Sequence, residues 1–394
     1  MTMAIPRVRE YTGPAFLSYG YRTFFFLGAL FAGLSILVWV PLFFGHLSLH
    51  SDFAPADWHT HEIYFGYLAA IVTGFLFTAI PNWTGRPPVR GVPLLLLALL
   101  WFAGRLAIVF SASLGWVATM VVDLLFLAAI LAIITNEIIA GKNWRNLMVV
   151  VPFSLLLLAN ICFHLEAHFE ASSYYSRRLA MMAAIILIML IGGRIIPAFT
   201  RNWLMRQAPG RLPVAFNRFD GMAIGISVLA LIMWIIFDTG MIAATLFFPA
   251  AVLQFLRLAR WQGVRTFSDP LVLVLHVGYL FIPVGFLLLA LAGFFPYSFP
   301  ALAGIHALGV GAIGVMTLSV MVRATLGHSG SPLIAGVRGS LVFLCVVLAG
   351  VTRIISEFIP EFYTILLYSS AVFWMLAFLG YAFSFSPQIF RARQ

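Results

Sequence analysis

The chain alternates between long apolar runs and short polar turns. An apolar run of roughly 20 residues is the length needed to cross a bilayer as a helix. Twelve such runs can be marked: 23–45, 59–81, 92–111, 113–140, 147–170, 177–200, 219–238, 240–259, 269–294, 300–326, 337–356 and 362–385. The turns after the third and seventh are very short. The runs are too long and continuous for the alternating pattern of a membrane barrel. The expected fold is all-α: a polytopic membrane bundle of twelve transmembrane helices in one integral domain over 1–394. Residues 1–22 form a polar, basic lead-in with Pro6 and Pro14, with no cleavable leader, and the first run is expected to stay as a helix.

Composition agrees. The chain is 62% hydrophobic and 9% charged, where soluble domains carry about 25% charged residues. Its net charge is +10, a balance that in a soluble protein would suggest nucleic acid. Here the charges follow topology instead. Arg7, Arg9, Arg86, Arg90, Lys142, Arg145, Arg201, Arg206, Arg211, Arg218, Arg257, Arg260, Arg265, Arg338, Arg391 and Arg393 fall on one side of the twelve-helix pattern. Arg177, Arg178 and Arg353 lie on the other. Positive loops mark the cytoplasmic side, so both termini are expected in the cytoplasm. Cys162 and Cys345 lie within apolar runs and give no disulfide framework.

Nine histidines stand out in so apolar a chain. Ionisable side chains inside a membrane are costly and mark sites or paths, and imidazole is a common ligand of copper and haem iron. Trp58-His59-Thr60-His61-Glu62 lies at the outer mouth of the second helix, with Tyr64 one turn below. Residues two apart point to roughly opposite faces, so one ring faces the bundle and the other a neighbour. On the fifth helix His164 and His168 are four apart and share a face, which suits one metal, or else a fraying helix end. His306 lies two turns into the tenth helix among Gly304, Gly309, Gly311 and Gly314. These glycines allow close helix packing or leave room for a flat macrocycle. His306 is the best single ligand candidate. His276 lies deeper towards the inner end of the ninth helix, for a second site, a polar path or a core hydrogen bond. His328 is in an inner turn, and His46 and His50 are in an outer loop.

Arg105 and Asp123 fall at similar depth on the third and fourth helices, and pairing would reduce the cost of both charges. Arg194 and Arg323 lie towards the inner side, to clamp carboxylates or to snorkel. Glu62, Tyr64 and Glu166 are candidates for a proton route from outside. A weak echo links the ends of helices two, six and ten, compatible with three four-helix repeats or with chance. There is no Gly-Lys phosphate loop, zinc-protease motif or Cys-x-x-Cys pair.

These residues resemble the NnrS family. The blocks that carry the likeness are His59–Gly66, Gly74–Gly85 with Pro81-Asn82-Trp83-Thr84-Gly85 at its end, Gly104-Arg105, Gly192–Asn202, His276–Tyr279, His306–Gly314 and Arg323–Gly330. The resemblance implies an inner-membrane protein that binds haem, of b type, and copper, and handles nitric oxide in metabolism or in defence against nitrosative stress. It further suggests a nitric oxide reductase-like activity with an unidentified electron donor. Within that reading His61 and His306 are expected as haem axial ligands, and Arg194 and Arg105 as partners of haem propionates. His164, His168, His59 and His276 are expected as ligands of a further metal. A partial likeness to haem-copper oxidases places haem ligands on helices two and ten. Their copper ligands on helices six and seven have no histidine counterpart here. The alternatives are a transporter or metal-handling permease with a histidine-lined path, and a sensor or scaffold that binds nitric oxide without chemistry.

Overall fold

The structure, a computed structural model, describes residues 11–391. Arg7, Arg9 and Arg393, used above for orientation, lie outside the described residues. Among the described residues there is no strand, and twelve helices are long and apolar enough to cross a membrane. They are α1 Gly20–Phe43, α2 Pro55–Thr84, α3 Val92–Val109, α4 Trp116–Ala140, α5 Trp144–Phe169 and α6 Tyr174–Leu204. The rest are α7 Arg218–Phe237, α8 Met241–Arg265, α9 Pro270–Phe294, α10 Ala301–Ser329, α11 Gly336–Ile355 and α12 Pro360–Ser384. All twelve coincide with the apolar runs. Helix α2 starts four residues early because Pro55 occupies a first-turn position with Asp57 beside it. Proline lacks only an N–H that a first turn leaves unpaired anyway. The early start moves His59 and His61 from the mouth of the helix into it.

The described chain divides into two compact units. One runs up to Arg177 and adds Ala324–Pro332 and the residues from Ala382 onward. The other comprises Arg178–Arg323 and Leu333–Tyr381.

In the first unit α1 packs on α2 through small residues. A Cβ on Gly28 would fall 2.5 Å from Ile71, and one on Gly74 would fall 2.7 Å from Phe25. Close approach of this kind is how helices associate in lipid, where the hydrophobic effect does not drive them together. The path of α2 is not uniform. Its α-turns over Pro55–His61 open into a π-helix over Glu62–Leu68 and close again to α over Ala69–Thr84. Wide turns of this sort re-aim side chains and are frequent at functional sites. The carbonyl of Gly66, inside the wide stretch, accepts a hydrogen bond from the Trp101 indole of α3 at 2.9 Å.

The lower end of α2 is built to stop. Gly85 is left-handed at φ 72° and its N–H returns to the Pro81 carbonyl at 3.0 Å. Only glycine adopts that conformation without a steric penalty. The Thr84 hydroxyl donates to the Ile80 carbonyl, the Asn82 amide donates to that of Thr78, and the Asn143 amide donates to the Trp83 carbonyl.

In the second unit α9, α10 and α11 also meet at glycines. A Cβ on Gly304 would lie 3.0 Å from the Gly285 carbonyl oxygen, and one on Gly350 would lie 3.2 Å from the Gly311 Cα. Leu289, Phe281 and Trp374 fill the faces beside Gly304, Gly311 and Gly314, so these three glycines serve packing. Helix α10 carries the second π-helical stretch, Ala307–Gly314. Arg257, grouped above with the cytoplasmic charges, is fully buried instead. It pairs with Asp220 at 3.0 Å and donates to the Tyr279 hydroxyl at 2.6 Å.

A buried histidine and carboxylate cluster as candidate metal centre

Four helices of the first unit bring polar side chains to one level. His61 is the last residue before the π-helix of α2, Arg105 is in the last turns of α3, Asp123 is in the second turn of α4, and Asn160 and His164 are one turn apart on α5. All are buried. Alternating helix direction explains the common level: α2 and α4 contribute from their starts, α3 and α5 from their ends.

Asp123 is the hub. Its Oδ2 lies 3.1 Å from the Nε2 of His61 and 3.1 Å from the Nε2 of His164, and it accepts from the Asn160 amide at 2.8 Å. Its Oδ1 accepts from the Arg105 guanidinium. The same guanidinium donates to Glu62 Oε1 at 2.6 Å, and that oxygen lies 3.0 Å from His61 Nδ1. The result is a closed circuit of His61, Glu62, Arg105 and Asp123. Phe53, Phe65 and Phe163 surround the His61 ring at centroid distances of 5.0 to 5.5 Å. Gly104 and Gly66 make the circuit possible, because a Cβ on Gly104 would lie 3.1 Å from Asp123 Oδ1 and one on Gly66 would lie 3.0 Å from both Arg105 Nη1 and Glu62 Oε2.

One ligand atom from each of His61, Asp123 and His164 falls within 4.8 Å of the others. Two imidazoles and one carboxylate converging on a point form a donor set that suits copper, zinc or non-haem iron. Charge points the same way. Two carboxylates and one guanidinium leave the buried set with one net negative charge, so electroneutrality in this low-dielectric setting calls for a cation. A proton on His61, whose two ring nitrogens both face carboxylate oxygens, is one way to supply it, and a metal ion is another.

The pairing of Arg105 with Asp123 was legible in the sequence. Other expectations are redirected. His61 is boxed in by side-chain acceptors on both ring nitrogens and by three phenyl rings. Arg105, expected beside a haem propionate, pairs with Glu62 and Asp123. His164 and His168 do share a face, the one towards α4, yet they do not converge. His164 meets Asp123, while the exposed His168 stacks on Trp116, seven residues away along α4, at 4.4 Å. His59 points the other way from His61 and stacks on Trp39 at 4.2 Å. Of the three proton-route residues only Glu62 touches the cluster. Tyr64 is buried in the π-helix. Glu166 accepts from the Tyr175 and Ser176 amides and the Ser176 hydroxyl, and so caps the start of α6.

The remaining named residues belong to the second unit. His276 is buried, with its Nε2 2.8 Å from the Thr200 hydroxyl. That hydroxyl donates its single proton to the Ile196 carbonyl at 2.8 Å, so His276 Nε2 is the donor to Thr200. Arg194 is half-buried on α6, and the Arg323 guanidinium sits 3.9 Å over the Phe199 ring. His306 Nδ1 lies 3.5 Å from Glu357 Oε1. Asn160 was not singled out from the sequence. The available signal was a lone amide in the apolar stretch of α5, one turn before His164.

The architecture thus defines a multi-pass helical membrane protein with a buried His–Asp–His cluster. The chain belongs to the NnrS family: the family model described as NnrS protein matches residues 15–393. Membership links it to nitric oxide-related function. No curated protein and no solved structure matches the chain.

Proposed function

We propose that this protein binds one transition-metal ion, copper, through His61, Asp123 and His164, and that this centre serves its nitric oxide-related role in the inner membrane. The observation that carries the reading is the convergence of three buried donor atoms from three helices within 4.8 Å. When bound, copper supplies an electron-accepting Lewis acid able to take nitric oxide as a ligand. The remaining chemistry belongs to the chain. Asn160 and Arg105 fix the two oxygens of Asp123. Glu62 holds the His61 ring through Nδ1, the arrangement by which outer carboxylates orient ligating imidazoles. The phenyl rings of Phe53, Phe65 and Phe163 exclude water. Nitric oxide is small and apolar and reaches such a centre through lipid without a polar channel.

The test is metal analysis of purified, metal-stripped protein reloaded with Cu(II). One tightly held equivalent is expected. It should be lost in His61→Ala and His164→Ala and kept in His168→Ala. Equal copper content in His164→Ala and the unsubstituted protein would overturn the assignment. Nitric oxide consumption by the loaded protein with an artificial reductant then separates turnover, as in a reductase, from binding alone.

A further inference from the structure

The three phenyl rings around His61 are not alike. Phe65 and Phe163 stand on α2 and α5 and are buried. Phe53 stands on the loop before α2 and is half-buried. Its ring stacks on that of His61 at 5.5 Å and meets that of His164 edge-on at 5.7 Å. A single loop side chain thus covers both imidazoles of the cluster and reaches the surface.

Hydroxyl groups hold this loop in place. The Ser51 hydroxyl donates to the Ile108 carbonyl at 2.8 Å. That commits its proton, so the Ser111 hydroxyl is the donor in the 3.1 Å contact between the two serines. The Ser111 oxygen in turn accepts from the Asp52 N–H at 2.8 Å. Beside them the His50 ring lies 2.6 Å from the Ser113 hydroxyl, and the Ala112 N–H reaches the His50 carbonyl at 3.4 Å. Every one of these anchors lies in the last turn of α3 or in the turn that leads to α4. None is a member of the cluster. Residues 50–53 therefore form a strap whose fastenings are separate from the groups it covers. Hydrogen bonds of this kind are individually weak in net terms, and such a strap opens locally while the helices beneath it stay folded.

A cation needs an opening of this sort. Nitric oxide crosses lipid, but carrying an ion through the apolar interior of a membrane is costly. The cluster lies at the end of the bundle that bears this loop. His61 and His164 are each within about two turns of the ends of α2 and α5 on that side.

We infer that residues 50–53 are a gate for ion exchange. Cu(II) enters and leaves the cluster beneath Phe53, on the membrane face that carries the loop, when the Ser51–Ser111 fastening opens. This rests on reading His61, Asp123 and His164 as a metal centre. Phe53 and Ser111 are not ligands. They set how fast the ion exchanges, and the three donor residues set how tightly it is held.

The experiment uses the full chain, metal-stripped, with Cu(II) as the probe. Ser111→Ala removes two of the fastenings. It should speed loading and release alike, each about 10-fold, and leave the dissociation constant within about 2-fold. A purely structural role would raise release alone and weaken binding. Amide exchange at Asp52 and Phe53 in the metal-free protein should quicken with it. Phe53→Ala should reproduce the faster exchange of copper, and Phe53→Tyr should restore the slow rates. If Ser111→Ala fails to fold, Ser51→Ala cuts the same fastening from the other side and takes its place. In sealed liposomes an impermeant chelator added outside should strip copper only from the fraction whose loop 46–54 is open to external protease in a parallel sample. Stripping of both orientations, or unchanged loading and release in the serine variant and in Phe53→Ala, overturns the inference. Faster amide exchange at the strap with unaltered copper rates sinks the gate and leaves the metal centre standing. Absence of bound copper in the unsubstituted protein sinks the centre and the gate together.

Discussion

Replacing Arg105 with methionine isolates the charge balance of the buried cluster. The side chain is 7% exposed and contributes the guanidinium that pairs with both Glu62 and Asp123. Methionine keeps much of its length and removes the charge. It leaves two carboxylates in the bundle with no cation between them. Removing one partner of a buried ion pair costs about 3–5 kcal/mol. Part of that is direct repulsion between the two carboxylates, which the guanidinium no longer offsets. The sign of a second substitution then discriminates. Glu62→Gln alone should destabilise, because it weakens the bond from Arg105 and the hold on His61. Added to Arg105→Met it should recover about 1–2 kcal/mol, because it removes one of the two uncompensated charges. The assay is unfolding of the detergent-solubilised protein with a chelator present, comparing the four members of the cycle. A cost below about 1 kcal/mol for Arg105→Met, or simple additivity of the two substitutions, would refute the account of the cluster as a charge-balanced unit.

Two further outcomes follow from particular contacts. Gly104→Ala places a methyl 3.1 Å from Asp123 Oδ1 and 3.4 Å from its Cα, and should lower thermal stability by about 1–3 kcal/mol and weaken copper binding. Gly221→Ala, with nothing within 4 Å of the added carbon, should do neither. Glu166→Ala removes the acceptor of three hydrogen bonds at the start of α6. It should cost about 1–2 kcal/mol and speed amide exchange at Tyr175 and Ser176 while leaving copper content unchanged.

The helices were legible because hydropathy is a local property and each span needs its own apolar run. The Arg105–Asp123 pair was legible because two opposite charges at one depth of a membrane have few other partners. What stayed hidden depends on where neighbouring helices lie. The spacing of His164 and His168 gives a common face, yet their partners Asp123 and Trp116 are two turns apart on α4, so the two rings diverge in depth. Asn160 has no motif of its own and gains meaning only beside Asp123. Glu357, the carboxylate nearest the His306 ring, lies some fifty residues further along the chain. The π-helical stretches leave no periodic trace, being single wide turns in otherwise α-helical runs.

The block Pro81-Asn82-Trp83-Thr84-Gly85 is among the segments by which the family likeness is recognised, and the geometry at the end of α2 gives it a plain physical meaning. Its threonine and asparagine side chains close back on the last carbonyls, its glycine reverses the chain, and Asn143 ties the Trp83 carbonyl to the loop before α5. It is punctuation, and none of its side chains joins the cluster of His61, Asp123 and His164. A chain could carry this five-residue sign faithfully and still have exchanged His61, Asp123 or His164 for other residues. Under the proposed copper assignment, shared reactivity within the family is to be read from those three positions, and shared architecture from the terminator.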